Sequence, residues 1–190
     1  HYDRRRQRQM CIRDRGESVG AAIIWLHGLG ADGKDFAPVV PQLQLPAGLG
    51  VRFVFPHAPS IAVTINNGFV MPAWYDIKQI DVDRHVDTDQ LRRSADWVHD
   101  LIDREMERGL PSERIMVAGF SQGGAVSFEA ALTFPHRLAG IMALSTYFAT
   151  AATVAVNTVQ QGLPRLICHG SEDPVVPESL GRQSVATLQK

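Results

Sequence analysis

The stretch Arg114-Ile-Met-Val-Ala-Gly-Phe-Ser-Gln-Gly-Gly-Ala125 decides how this chain is read. Ile115 to Ala118 is a short apolar run of the kind that forms a buried parallel strand, and Gln122 to Thr133 has the pattern of a helix ending before Pro135. Between them, Gly119-Phe-Ser-Gln-Gly123 puts Ser121 on a sharp turn that pushes its hydroxyl out of the backbone. Glycine is needed two residues before and after, because a side chain at either place would strike neighbouring backbone. The spacing alone arises by chance in roughly one chain of this length in 15. The weight therefore rests on the flanking strand and helix, against the plainer alternative of a glycine-rich turn with an incidental serine.

Further strand-like runs occur at Ala21–Leu26, Val51–Phe55, Leu138–Leu144 and Pro164–Cys168. Asp87 to Arg108 is the clearest helix, with Leu91, Ala95, Val98, Ile102 and Met106 on one face and Gly109 and Pro111 stopping it. Strands alternating with helices predict a mostly parallel sheet with helices on both faces, in one α/β domain over residues 16–190. At 190 residues and 45% hydrophobic, the chain has enough apolar residues for one sizeable core. The pattern lapses from Pro56 to Asp83, where Phe69, Met71, Trp74 and Tyr75 argue for a packed lip above the strand ends.

Charge and cysteines exclude several classes. Residues 1–15 hold six arginines and two aspartates, and setting them aside leaves 13 basic and 18 acidic residues, so no field suited to nucleic acid remains. That segment lacks apolar periodicity and reads as translated adapter sequence, a non-native or disordered tail outside the fold. Ala21 to Leu26 is too short for a secretion signal or a membrane span. Two cysteines, Cys11 in the tail and Cys168 in an expected buried strand, imply no disulfide framework, and the default location is cytoplasmic. No spacing suggests a metal site or a cofactor.

Ligands of open parallel sheets bind at the carboxyl ends of the strands. His27-Gly-Leu-Gly-Ala-Asp-Gly33 follows the first clear strand and can aim backbone N–H groups into the cleft, completing an oxyanion hole with the N–H of Gln122. A phosphate-binding loop is the competing reading, but Lys34 is followed by Asp35 where such a loop needs Ser or Thr. His169-Gly-Ser-Glu-Asp-Pro-Val-Val-Pro177 follows another strand, and Asp173 there could orient a histidine serving Ser121 or merely cap the next helix.

With Phe55-Pro-His-Ala-Pro59, Trp74-Tyr-Asp76 and Ala143-Leu-Ser-Thr-Tyr147, these motifs resemble, in order from about Ala21 to Lys190, the carboxylesterase/acyl-protein thioesterase family of α/β-hydrolases. Thr64-Ile-Asn-Asn-Gly68 with Pro72-Ala-Trp-Tyr-Asp76 is most similar to its bacterial carboxylesterase branch. The resemblance implies Ser121 as nucleophile, Asp173 as triad acid, the N–H groups of Leu29 and Gln122 as oxyanion hole and Trp74 in the substrate pocket. It implies a cofactor-free serine esterase acting on small or medium acyl esters and leaves a homodimer open. The alternatives are an acyl-protein thioesterase or lysophospholipase, and a non-catalytic binding protein of the same fold.

The family's catalytic histidine should follow Asp173 by some thirty residues, yet the 17 residues after Asp173 contain none. His27, His57, His85, His99, His136 and His169 have no catalytic place in the resemblance, and His1 is in the tail. The expectation is a chain truncated at both ends, lacking the first and last strands, the base and the closing helix. Such a fragment would be nearly inactive and, with Pro164–Cys168 left as an apolar sheet edge, poorly soluble.

Overall fold

The computed structural model describes residues 10–16, 18–80 and 84–189. Its strands are β1 (Met10–Arg15), β2 (Ala21–Leu26), β3 (Val51–Pro56), β4 (Ser60–Val63), β5 (Phe69–Pro72), β6 (Ile77–Gln79), β7 (His85–Val86), β8 (Ile115–Phe120), β9 (Gly140–Leu144) and β10 (Arg165–Cys168). Three α-helices, α1 (Thr88–Glu107), α2 (Gln122–Thr133) and α3 (Glu178–Leu188), accompany short 3-10 turns. The central sheet has six strands in the order β1-β3-β2-β8-β9-β10. All neighbours are parallel except β1, which runs antiparallel to β3.

The alternation of β2 explains the layers. Ala22, Ile24 and Leu26 face a core shared with Leu91, Ala95, Val98 and Ile102 of α1 and with α2. Trp25 faces the other way, into a second core with Phe53, Phe55 and Val40. That second face is covered by the 3-10 turns Gly33–Asp35 and Ala37–Leu43 rather than by an α-helix. Helix α1 is amphipathic and begins where the Asp87 side chain accepts the N–H of Gln90. Helix α2 is buried from Gln122 to Leu132, as an apolar helix between sheet and α1 must be.

Three expectations are corrected here. Met10–Arg15 were expected to lie outside the fold and a first strand to be lacking, yet they form the antiparallel edge strand, in register from Met10 opposite Pro56 to Arg15 opposite Val51. An edge strand covered on one side needs no apolar periodicity, and this one is fastened by Arg52, which pairs with Asp14 at 2.8 Å and with the buried Glu105 at 3.2 Å. The expectation for residues 1–9, His1 included, lies outside the described residues. Cys168 was expected in a buried strand, but β10 is the opposite edge of the sheet and leaves it exposed. The irregular stretch after Pro56 contains a β4–β5 hairpin, closed by Asn67 and Gly68 with φ of +55° and +75°. Its lip is divided: Phe69 stands 68% exposed at the tip, while Trp74 and Tyr75 are buried beneath.

Candidate active site

The parallel registers bring the carboxyl ends of β2, β8 and β9 level, with Leu26 opposite Gly119 and Phe120 opposite Leu144. Ser121 follows at the turn between β8 and α2, with φ +52° and ψ −119°. A non-glycine residue in that region is strained by about 1–3 kcal/mol and persists only where its surroundings impose it. They do so here. The Ser121 N–H donates to Leu144 O at 2.9 Å, and the Thr146 hydroxyl donates to Ser121 O at 2.6 Å. A Cβ on Gly119 would lie 2.4 Å from Gly123 O, and one on Gly123 would lie 2.5 Å from His27 O. The turn is thus wedged between β2 and its own helix, which is why both flanking positions are glycine.

The loop after β2 lies alongside the serine. A Cβ on Gly28 would be 3.5 Å from Ser121 Cβ and 3.1 Å from the Phe120 ring. Gly30, at φ +75°, turns the chain so that its N–H reaches Pro72 O at 2.8 Å. Leu29 sits between these two glycines, next in the chain to the Gly28 that approaches Ser121. The N–H of Gln122, in the first turn of α2, has no intrahelical acceptor.

Gln122 does more than lend an N–H. Its buried side chain accepts the N–H of Trp74 at 2.9 Å and donates to Tyr75 O at 2.7 Å. Trp74 is 3% exposed, and its indole N–H donates to His27 O at 2.8 Å. It is thus first a strut between the segment 73–76, α2 and the loop after β2. Below it, the Tyr75 and Tyr147 hydroxyls meet at 2.7 Å, and burial raises the pKa of both.

Asp173 lies in the loop after β10. Its Oδ1 accepts the N–H groups of Val175 and Val176, both at 2.9 Å. Those bonds, the Val176 one foremost, hold its carboxyl below the usual carboxylate range, helped by Ser145 and His169. Ser145 joins the two halves of the site: its own N–H donates to Cys168 O at 2.8 Å, while the preceding Leu144 carbonyl takes the Ser121 N–H.

Among the described residues no histidine hydrogen-bonds to Ser121. The ring of His169 is turned to Val176 O, 2.7 Å from Nε2, with Asp173 at 3.8 Å. His57 accepts the Gly33 N–H at 3.0 Å, and His99 Nε2 lies 2.9 Å from Ala130 O. The buried His27 has both ring nitrogens engaged, one with Gly28 O and one with the Ala58 N–H. Sequence reasoning assigned no role to that ring, to the Gln122 side chain or to Ser145. The adjacency of His27 to the glycine loop was the one available signal. No group of three or more His, Cys, Asp or Glu that could hold a metal occurs among the described residues. A cavity of about 810 Å³ between β1 and the 3-10 turns, lined by Arg13, Arg15 and Lys34, contains none of these site residues.

A strained serine turn at the carboxyl edge of a parallel sheet, flanked by a glycine loop from the neighbouring strand, places the molecule among the α/β-hydrolases. The family model for phospholipase/carboxylesterase matches residues 8–190, and the chain belongs to that family of serine hydrolases. It is 42% identical over 170 residues to acyl-protein thioesterase 1 of Schizosaccharomyces pombe, covering 88% of this chain and 75% of that protein. It is 41% identical over 180 residues to the Neurospora crassa acyl-protein thioesterase 1, covering 90% and 74%. Kinship thus extends beyond the bacterial carboxylesterase branch suggested by Thr64–Gly68 and Pro72–Asp76. Among solved structures, Zea mays acyl-protein thioesterase 2 superposes with TM-score 0.82 at 28% identity, covering 95% of this chain and 84% of that one. The Bacillus cereus carboxylesterase, at 16% identity and TM-score 0.71, covering 95% and 79%, shares the fold. No described helix is long and apolar enough to cross a membrane.

Proposed function

We propose that the protein hydrolyses short- to medium-chain carboxylic esters through an acyl-enzyme on Ser121. The strained turn at Ser121 beside the Gly28–Gly30 loop is the observation that supports this most. The Ser121 oxygen attacks the ester carbonyl while a histidine base takes its proton, and the tetrahedral oxyanion rests on the N–H groups of Leu29 and Gln122. The alcohol leaves with that proton, and water then releases the acid and restores the serine. Asp173, held ionised by its backbone donors, orients the histidine. This reading takes the base from outside the described residues, since none of the described histidines reaches Ser121.

Thioesters are the second reading. It is favoured by the curated relatives at 42% and 41% identity, which are named acyl-protein thioesterases. Ser121-dependent turnover of matched oxygen and sulfur esters across acyl lengths tests both. A preference for short aryl esters supports the first, and a preference for long-chain thioesters the second. The 190-residue chain itself is expected to turn over far more slowly than a serine hydrolase with its base in place. Robust hydrolysis of p-nitrophenyl acetate by this chain would overturn that assignment of the base.

A further inference from the structure

His27 is fully buried at the end of β2, in contact with the peptide proposed to bind the oxyanion. The Ala58 N–H donates to Nε2 at 3.0 Å, so Nε2 must offer a lone pair. In the neutral ring the proton then sits on Nδ1, 2.7 Å from Gly28 O. Trp74 holds the ring, with centroids 5.0 Å apart and its indole N–H on the His27 carbonyl. In a trans peptide the C=O of Gly28 and the N–H of Leu29 point in opposite directions, and no peptide among the described residues is cis.

We infer that His27 is a positioning residue for the reaction proposed above: its Nδ1–H grips the Gly28 carbonyl and so keeps the Leu29 N–H turned toward Ser121. The lock matters because glycines at 28 and 30 give this peptide unusual rotational freedom. A flip would exchange N–H for C=O and set one dipole's negative end against the developing oxyanion. Besides the ring, the Gly28 carbonyl is held by the Ala31 N–H at 3.3 Å, the longer of the two bonds. The bland alternative is a core histidine whose two bonds merely satisfy its nitrogens.

Two substitutions separate these roles, because Asn can place an amide N–H where Nδ1 stands and Gln an amide oxygen where Nε2 stands. His27→Asn keeps the donor to Gly28, whereas His27→Gln keeps the acceptor for Ala58. The test uses the full chain, with Ser121→Ala as blank, measuring p-nitrophenyl acetate turnover, urea unfolding and crystal structures. The expected result is similar destabilisation of both variants, with kcat of His27→Gln lowered roughly tenfold to 100-fold and KM little changed. His27→Asn keeps turnover well above His27→Gln, and the Gly28–Leu29 peptide is rotated only in the latter.

Equal activity losses in the two variants, or an unrotated peptide in His27→Gln, overturn the inference. Turnover in this chain is expected to be slow; where none depends on Ser121, the hydrolase reading stands as before and the orientation of the Gly28–Leu29 peptide in His27→Gln decides the lock. If neither variant folds, imidazole nitrogen NMR of the unsubstituted protein decides. A proton on Nδ1 of His27 is expected, and one on Nε2 overturns the inference.

Discussion

Ser121 carries backbone strain at the site, and that strain can be measured. At φ +52° and ψ −119° a glycine is relaxed where alanine is not. Ser121→Ala and Ser121→Gly should both lose Ser121-dependent hydrolysis. In urea melts, however, Ser121→Gly should be at least as stable as Ser121→Ala, despite glycine's entropic handicap of about 0.5–1 kcal/mol. A Ser121→Gly protein less stable than Ser121→Ala by that handicap would show that the turn stores no strain. The flanking glycines make the complementary case. A Cβ on Gly123 would sit 2.5 Å from His27 O and 2.6 Å from Leu26 O, both backbone atoms that cannot swing away. Gly123→Ala should therefore destabilise by about 3 kcal/mol or more. Gly170→Ala, where nothing lies within 4 Å, should leave the melting temperature almost unchanged. Similar melting temperatures for the two variants would mean that β2 and α2 are less tightly apposed than described.

Between elements, the site is held by polar groups that span helix, loop and strand. Gln122 fastens the start of α2 to Trp74 and Tyr75 with one acceptor and one donor, both buried. Gln122→Ala strands a backbone N–H and a backbone C=O, a loss of about 2–5 kcal/mol. Gln122→Glu keeps the acceptor but sets a second oxygen against Tyr75 O unless it is protonated. Relative to the unsubstituted protein at each pH, it should be more stable at pH 5 than at pH 7. A flat difference between those melts would show that the clamp is open to water. His27 gives a pH dependence of the opposite sign. Burial, with the like charge of His57, holds its imidazole below the ordinary 6.5, against the Gly28 carbonyl, Asp32 and Asp35, which favour the charged form. The unfolded chain binds the proton first. Stability is thus full above pH 6.5 and falls as pH drops toward the lower folded value, by at most about 1.4 kcal/mol per pH unit. His27→Asn should flatten that slope between pH 7 and 5 in urea titrations. An unchanged slope would assign it to other groups.

At the scale of the molecule, what was legible in the sequence depended on how many neighbours a segment has. Residues 21–26 and 115–120 are packed on both faces and read as strands from their apolar runs alone. So did α1, whose buried stripe follows the helical period. Ser121, Leu29 and Gln122 could be placed beside one another because strand ends in a parallel sheet converge. Of the two sheet edges, the one at Met10–Arg15 was misread, since it is held by pairing and by Arg52 and not by burial, whereas Pro164–Cys168 was expected at an edge and only the burial of Cys168 was wrong. The side-chain work of His27 and Gln122 was invisible, because it is done on backbone groups that a sequence does not display.

The edge at β10 also sets how the molecule behaves in company. Among the described residues β10 pairs on one side with β9, and Leu166 on it is 54% exposed. An apolar strand with an unpaired row of N–H and C=O groups invites pairing with another chain. Leu166→Lys places a charge on that edge without disturbing the β9 register, since the side chain already faces solvent. It should lower concentration-dependent light scattering markedly while leaving the urea midpoint within about 0.5 kcal/mol of the original. The comparison variant is Phe69→Ser, at the hairpin tip, where the phenyl ring is 68% exposed. If scattering falls with Phe69→Ser and not with Leu166→Lys, the molecules associate through the hairpin beside the site, and the sheet edge is not what draws them together.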